Sequence, residues 1–353
     1  MKRCTYLLAI LALALALGCE KLQSPASPIA KQDQQKSLSQ DRRAFAEAKA
    51  KFETIGAKLR EVMAQRQATR LSKLGAASSQ SAEAKKITVP DDYPAIQQAV
   101  DAAMPGDKIT VKTGTYTEFV YVDVPNVSLS AVGTVTVKGS LIVTANDVMI
   151  DRFNIEVLTY PTINIGLGVF VFGASIVVSG VEIKGNTISG GDAGVALQLS
   201  NSCTVKDNQV SGASQGGIGL LDADDHIFDG NTLTGNLVGI YFLSGCDNNQ
   251  VLRNNCSSNV AGILLEGAGN QLSNNTCNGN SELGIQVITA SDNTIGSGNA
   301  GNNNGSDGLR LETDATNNVV EKNTFLHNAG FDINNLGSGN TFIKNKANNT
   351  NGV

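Results

Sequence analysis

The chain has 353 residues, more than the ~100–200 of an ordinary domain, with 37 Gly, 5% aromatic residues, no Trp and 41% hydrophobic residues. It has too few rings for a conventional globular core and too many aliphatics for disorder. Residues 1–86 carry 16 Lys and Arg against 7 Asp and Glu, whereas residues 87–353 carry 11 against 25. So acidic a main body excludes a nucleic-acid partner, because phosphate binding needs clustered cations.

Met1-Lys2-Arg3 precedes an apolar run from Thr5 to Leu17. This pattern predicts a secretory signal over residues 1–18, too short for a membrane span of ~20 residues. Ala16-Leu17-Gly18-Cys19 resembles a bacterial lipobox, although Ala16 stands where Leu is commoner. The resemblance implies cleavage before Cys19 and a lipid (palmitate and its kind) on that residue, so that the membrane becomes a partner through the anchor. Glu20 replaces the Asp that holds lipoproteins in the inner membrane, which implies the outer membrane. Each buried CH₂ would add ~0.8 kcal/mol to the anchor.

Residues 19–40 are rich in Gln, Ser, Pro and Lys and read as a flexible tether. Residues 41–74 favour helix, with Phe45, Ala48, Phe52, Ile55, Leu59 and Val62 forming a narrow apolar stripe. The stripe could oligomerise a helical stalk as a coiled coil. Gly56 within it, and its early end, favour instead a single helix docked on the next domain or on lipid headgroups. Residues 75–86 form a linker.

A repeat occupies residues 87–350. Asn186, Asn208, Asn231, Asn254, Asn275, Asn299, Asn323 and Asn345 recur every 21–24 residues. Gly followed by an apolar residue recurs independently with the same period, at Gly194, Gly217, Gly239, Gly262, Gly284, Gly308 and Gly330. Short alternating segments between Asn-, Gly- and Ser-rich turns fit three strands per period, which is an all-β, single-stranded parallel β-helix. The Asn column is expected to be a structural ladder of turn residues with left-handed or bridging backbone.

The entry to the solenoid, residues 87–118, contains Tyr93-Pro94-Ala95-Ile96-Gln97-Gln98-Ala99-Val100-Asp101-Ala102-Ala103-Met104-Pro105-Gly106-Asp107 and later Gly114-Thr115-Tyr116-Thr117-Glu118. Ile96, Ala99, Val100 and Ala103 form one face of a short helix that would cap the first coil. This stretch resembles the N-terminal cap of the pectin lyase-like superfamily, and the chain looks most like its NosD-type members with parallel β-helix repeats. The resemblance implies a right-handed β-helix and is specific for fold, since esterases, lyases, hydrolases and inert domains share it.

Signatures of catalysis are incomplete. Asp224-Asp225 is present, but Gly-His-Gly, Arg-Ile-Lys and Asp-Phe-x-Phe-Gly, which the polygalacturonase and esterase branches carry, are absent. Beyond the cap the only arginines are Arg152, Arg253 and Arg310. Counting eight from each repeat Gly aligns Ser202, Asp225, Asp247, Asn270, Asp292 and Thr316. That places Asp225 and Asp247 ~4.8 Å apart on adjacent coils, where they could share Ca²⁺ or act as paired carboxylates. Asp224, Asp225 and Asp247 are thus the catalytic candidates, and Asp225 with Asp247 the metal candidates. The competing expectation is a solvated acidic turn.

His226 is expected to be a turn or packing residue, and His327 exposed. Cys256 and Cys277 should be inward neighbours that remain thiols, and Cys203 and Cys246 should not pair. NosD-type resemblance suggests copper, which no Met/His/Cys set here supports. The leading expectation is a lipid-anchored envelope protein that binds glycan or scaffolds without catalysis. The alternative is a polyuronate lyase or glycoside hydrolase using the acidic cluster.

Overall fold

Alternation within each short strand decides which side chains point inward. A computed structural model describes residues 49–50, 53–66, 68, 83–160, 164–174 and 176–353. The expected signal, tether, Cys19 and most of the linker fall outside these residues. So do Phe45, Ala48 and Phe52. The described chain is a parallel β-solenoid of about 12 turns.

Each coil contributes one strand to each of three faces. Strands of the first face include Leu167–Phe172, Ala193–Asn201, Gly216–Asp224, Val238–Phe242, Ala261–Leu265, Leu283–Val287, Leu309–Leu311 and Ile333–Asn335. Second-face strands include Glu182–Lys184, Thr204–Lys206, Ile227–Asp229, Gln250–Leu252 and Gln271–Ser273. Asn154–Val157, Thr187–Ser189, Gln209–Ser211 and Thr232–Thr234 begin the third, which continues as parallel bridges from Asn255 to Thr276, Ala300, Thr324 and Lys346.

Register stacks like on like. Val195, Ile218, Ile240, Ile263, Ile285, Leu309 and Ile333 form one inward column, and all are buried. Aliphatic columns of this kind replace the aromatic core that the composition lacks. The repeat glycines are needed for close approach: a Cβ on Gly239 would lie 2.6 Å from the Gly262 carbonyl oxygen and 2.8 Å from Cys256 Cβ. The last marker, Gly330, is out of step. Leu309 pairs with Ile333, so Asp332 occupies the place below Gly308.

The Asn column is an axial hydrogen-bond ladder. Asn208 donates from N and Nδ2 to Asn231 Oδ1, both at 3.0 Å, and from Nδ2 to the Ile183 carbonyl at 2.9 Å. The same linkage runs from Asn186 through Asn231, Asn254, Asn275, Asn299 and Asn323 to Asn345. The backbone expectation needs correction. The left-handed residue is the one before each ladder Asn, such as Asp207 (φ 54), Arg253 (φ 55) or Lys322 (φ 54). The turn is made there, leaving the Asn amide free to span coils.

Two further ladders, which the sequence analysis does not predict, run along the solenoid. One runs Asn236, Asn259, Asn280, Asn304, Asn328 through backbone N–H donation to the next Oδ1. The other runs His226, Asn249, Asn270, Asn293, Asn318, Asn340 in the same manner.

Helix α1 (residues 53–66) lies along the first face, and α2 (Ile96–Ala102) caps the first coil. The cap motif is structural. Glu118 accepts the N–H groups of Ile96 (3.0 Å) and Gln97 (2.9 Å), and Asp107 accepts those of Lys85 (2.7 Å) and Met104 (2.9 Å). In α1 the buried residues are Ile55, Gly56, Leu59 and Met63, while the expected Val62 is only half-buried. Gly56 permits close packing of the stripe, since a Cβ there would lie 3.1 Å from the Phe172 ring. The helix rises ~1.5 Å per residue and the solenoid ~4.8 Å per coil, so about three residues pass each coil. Accordingly Arg66 meets Asp123, Met63 meets Thr144, Arg60 lies over Phe172, and the helical residue Lys49 donates to Ser244.

Candidate functional site

The acidic segment predicted to carry chemistry lies where the first face turns into the second. Its register differs by one residue from the count. Asn201 pairs with Asp224 and Ile227 with Gln250, so Asn248 stacks on Asp225, and Asp247 on Asp224. An extra residue between Phe242 and Gln250 causes the slip. Asp225 is exposed with φ 58, and its N–H donates to the Asp247 carbonyl at 3.1 Å.

The stacked pair, Asp224 and Asp247, is engaged by backbone. Asp224 accepts the N–H of Asp247 at 2.8 Å, and Asp247 accepts that of Ala268 at 2.6 Å. Each carboxylate thus accepts from the following coil, whereas a ladder Asn accepts from the preceding one. Asp222 is held above the usual carboxylate range chiefly by burial, with Asp224 and Glu53 adding to the rise and Lys49 opposing it. Among the described residues no group of three or more His, Cys, Asp and Glu could hold a metal ion.

His226 is a ladder member. Its Nδ1 accepts the Cys203 N–H at 2.9 Å, and its ring Nε2 lies 3.2 Å from Ser200 Oγ. An accepting Nδ1 requires the neutral tautomer protonated at Nε2. Burial pushes this imidazole down to about 4. His327, by contrast, is exposed with φ 61. Cys203, Cys246, Cys256 and Cys277 are buried thiols. Cys256 and Cys277 stack in the inward column of the third face, and burial raises the Cys256 thiol well above its ordinary value.

Another polar cluster, unread in the sequence, sits on the outward side of the first face beyond the coils that α1 crosses. Gln286, Arg310 and Asn334 share one column there. Asp307 accepts from Arg310 Nε at 2.6 Å, Asn334 Nδ2 at 2.9 Å and the Phe331 N–H at 2.8 Å. Gln286 Nε2 donates to Glu312 Oε1 at 2.7 Å. All these side chains except Arg310 are buried. A guanidinium beside buried carboxylates can hold sugar hydroxyls or assist proton transfer. The signal lay two and four residues after a repeat Gly. Those outward positions hold Tyr241 and Leu243 in one coil but Arg310 and Glu312 further on.

The second face carries partly exposed ion pairs. Glu182 lies 2.6 Å from Lys206 and 3.1 Å from Lys184, and Asp229 lies 2.5 Å from Arg253. The Lys206 ammonium, hydrogen-bonded to Glu182, is the main cause holding that carboxylate below its usual range.

Residues 139–299 and 247–353 match the family described as "Right handed beta helix region". The chain belongs to the right-handed β-helix family. This fixes the handedness that periodicity alone left open.

No curated protein matches the sequence. Solved structures with the family's fold include the Azotobacter vinelandii mannuronan C-5 epimerase AlgE6 A-module (17% identity, TM-score 0.53, covering 75% of this chain and 94% of that one). A double mutant of the periplasmic alginate epimerase AlgG superimposes with TM-score 0.54 at 14% identity, over 74% and 83% of the two chains. A tailspike protein mutant of E. coli bacteriophage HK620, in complex with a pentasaccharide, gives TM-score 0.56 at 11% identity, over 68% and 55%.

Proposed function

We propose that this protein is a lipid-anchored β-helix of the bacterial outer membrane that holds carbohydrate without transforming it. One observation carries the non-catalytic part. Asp224 and Asp247, the stacked carboxylates of the acidic segment, accept backbone N–H groups of the next coil. Oδ1 of each is thereby tied into the stacking of the coils, a structural role in place of an acid–base one. The carbohydrate part is supported by the similar solved structures, two of which are named as epimerases of mannuronan or alginate and one as a complex with a pentasaccharide. The envelope part is supported by Ala16-Leu17-Gly18-Cys19 and Glu20.

A second reading, a polysaccharide-active enzyme, is favoured by the Arg310, Asp307, Glu312 and Gln286 cluster. It replaces the acidic turn as the place where chemistry would occur. Incubation of the purified protein with mannuronan, polygalacturonate and neutral glucans, with and without Ca²⁺, separates the two readings. Retention without new reducing or unsaturated ends supports binding. Turnover lost in Arg310→Ala supports the enzyme. The anchor has its own test: Cys19→Ala is expected to move the protein from the membrane to the soluble fraction, and an unchanged distribution would remove the lipid from the account.

A further inference from the structure

The three faces of the solenoid present different surfaces. Helix α1 and its flanking Lys49 cover the first face from Asp123 to Ser244, and the polar side chains beyond are largely buried. The second face is studded with ion pairs. Each of the seven coils of the third face from Thr187 to Leu326 offers two outward positions. They hold only Thr, Ser, Asn, Gln, one Ala and one Leu, and none of them is buried.

The absence of charge there is selective, because residues 87–353 carry 25 acidic and 11 basic side chains. A polyanion laid on this face would meet no cation while entering the field of an acidic body. A neutral polymer loses nothing by that arrangement. The side chains are short, so ordering them costs little rotamer entropy. Several are already fixed. Asn278 Oδ1 accepts the Asn302 N–H at 2.7 Å, Asn302 Oδ1 accepts the Leu326 N–H at 2.8 Å, and Ser257 Oγ accepts the Asn278 N–H at 3.1 Å. Because the side-chain carbonyls of Asn278 and Asn302 are used by a neighbouring coil, their NH₂ groups are the part left to a ligand. Coils recur every ~4.8 Å, close to the length of one sugar unit in an extended chain, so successive units can meet equivalent groups.

We infer that the third face, from Thr187 to Leu326, docks an extended neutral polysaccharide running parallel to the solenoid axis. This rests on the carbohydrate-binding reading above and adds the face and the ligand class. The test is retention of the full chain on insoluble cellulose and chitin, with alginate beads as the polyanionic comparison. Gln209→Arg with Asn255→Arg places two long cations on the exposed face, and Gln250→Arg with Gln271→Arg places the same charge on the second face. Wild type and the second-face variant are expected to bind a neutral polymer equally, and the third-face variant at least tenfold more weakly, with circular dichroism unchanged in all three. Equal binding by all three proteins would overturn the face assignment. Preference of the wild type for alginate would overturn the ligand class. No retention on any polymer would overturn the carbohydrate reading itself.

Discussion

Asn254 and Asn255 are neighbours in sequence with opposite consequences. Asn254 is buried, donates to the Phe228 carbonyl and to Asn275, and accepts two N–H groups from Asn231. Asn255 is exposed, and its side chain accepts one local N–H, from Ser257. Each orphaned buried polar group costs ~1–3 kcal/mol. Asn254→Ala should therefore destabilise by about 2–4 kcal/mol, and Asn255→Ala by less than about 0.5 kcal/mol. Urea unfolding midpoints of the two variants check this, and equal midpoints would contradict the ladder.

His226 carries a pH dependence at the same scale. Its folded-state value is about 4, against the ordinary 6.5. The fold binds this proton less readily than the unfolded chain, so its stability is complete above pH 6.5 and declines as pH falls toward 4. The total loss is ~3 kcal/mol. Protonation would also turn Nδ1 from acceptor to donor against the Cys203 N–H. His226→Asn puts a ladder residue in its place and should flatten the stability profile between pH 6.5 and 4. An unchanged acid profile in that variant would exclude His226 as its source.

At the scale of elements, legibility followed the period of each signal. Strands, capping helix and Asn ladder were readable because inward aliphatics, the Pro105-Gly106 stop and an Asn every 21–24 residues each repeat or punctuate in one dimension. The other ladders escaped because their first or last members break pattern: His226 stands for Asn in one, and the other begins only at Asn236. The Asp225–Asp247 pairing failed for a related reason. Counting from glycine assumes equal turns, and one extra residue after Phe242 transfers Asp247 to Asp224.

The stripe of α1 was legible, but its partner was not, because the outward aromatics Phe170 and Phe172 look like core residues in sequence. Docking of α1 can be broken separately from the solenoid. Leu59→Asp buries a charge against the first face and should free the helix. Limited trypsin cleavage at Lys58 or Arg60 would then accelerate while the strand signal in circular dichroism persists. Cleavage no faster than in wild type would mean that α1 is held by its polar ends alone, through Arg66 with Asp101 and Asp123 and through Lys49 with Ser244.

The whole molecule is a stack in which most buried polar groups serve the stacking itself. That division also takes in Asp224 and Asp247 of the acidic turn, whose carboxylates accept backbone N–H groups of the next coil. It also leaves the outward surfaces to carry function. The most direct measurement is a combined binding and turnover assay on purified protein with neutral glucans and mannuronan, following retention, chain ends and C5 configuration by NMR. The account predicts retention of intact neutral glucan, with no new ends and no epimerisation on any polymer. Catalytic conversion that disappears in Arg310→Ala or Glu312→Gln would contradict it and make the first face an active site.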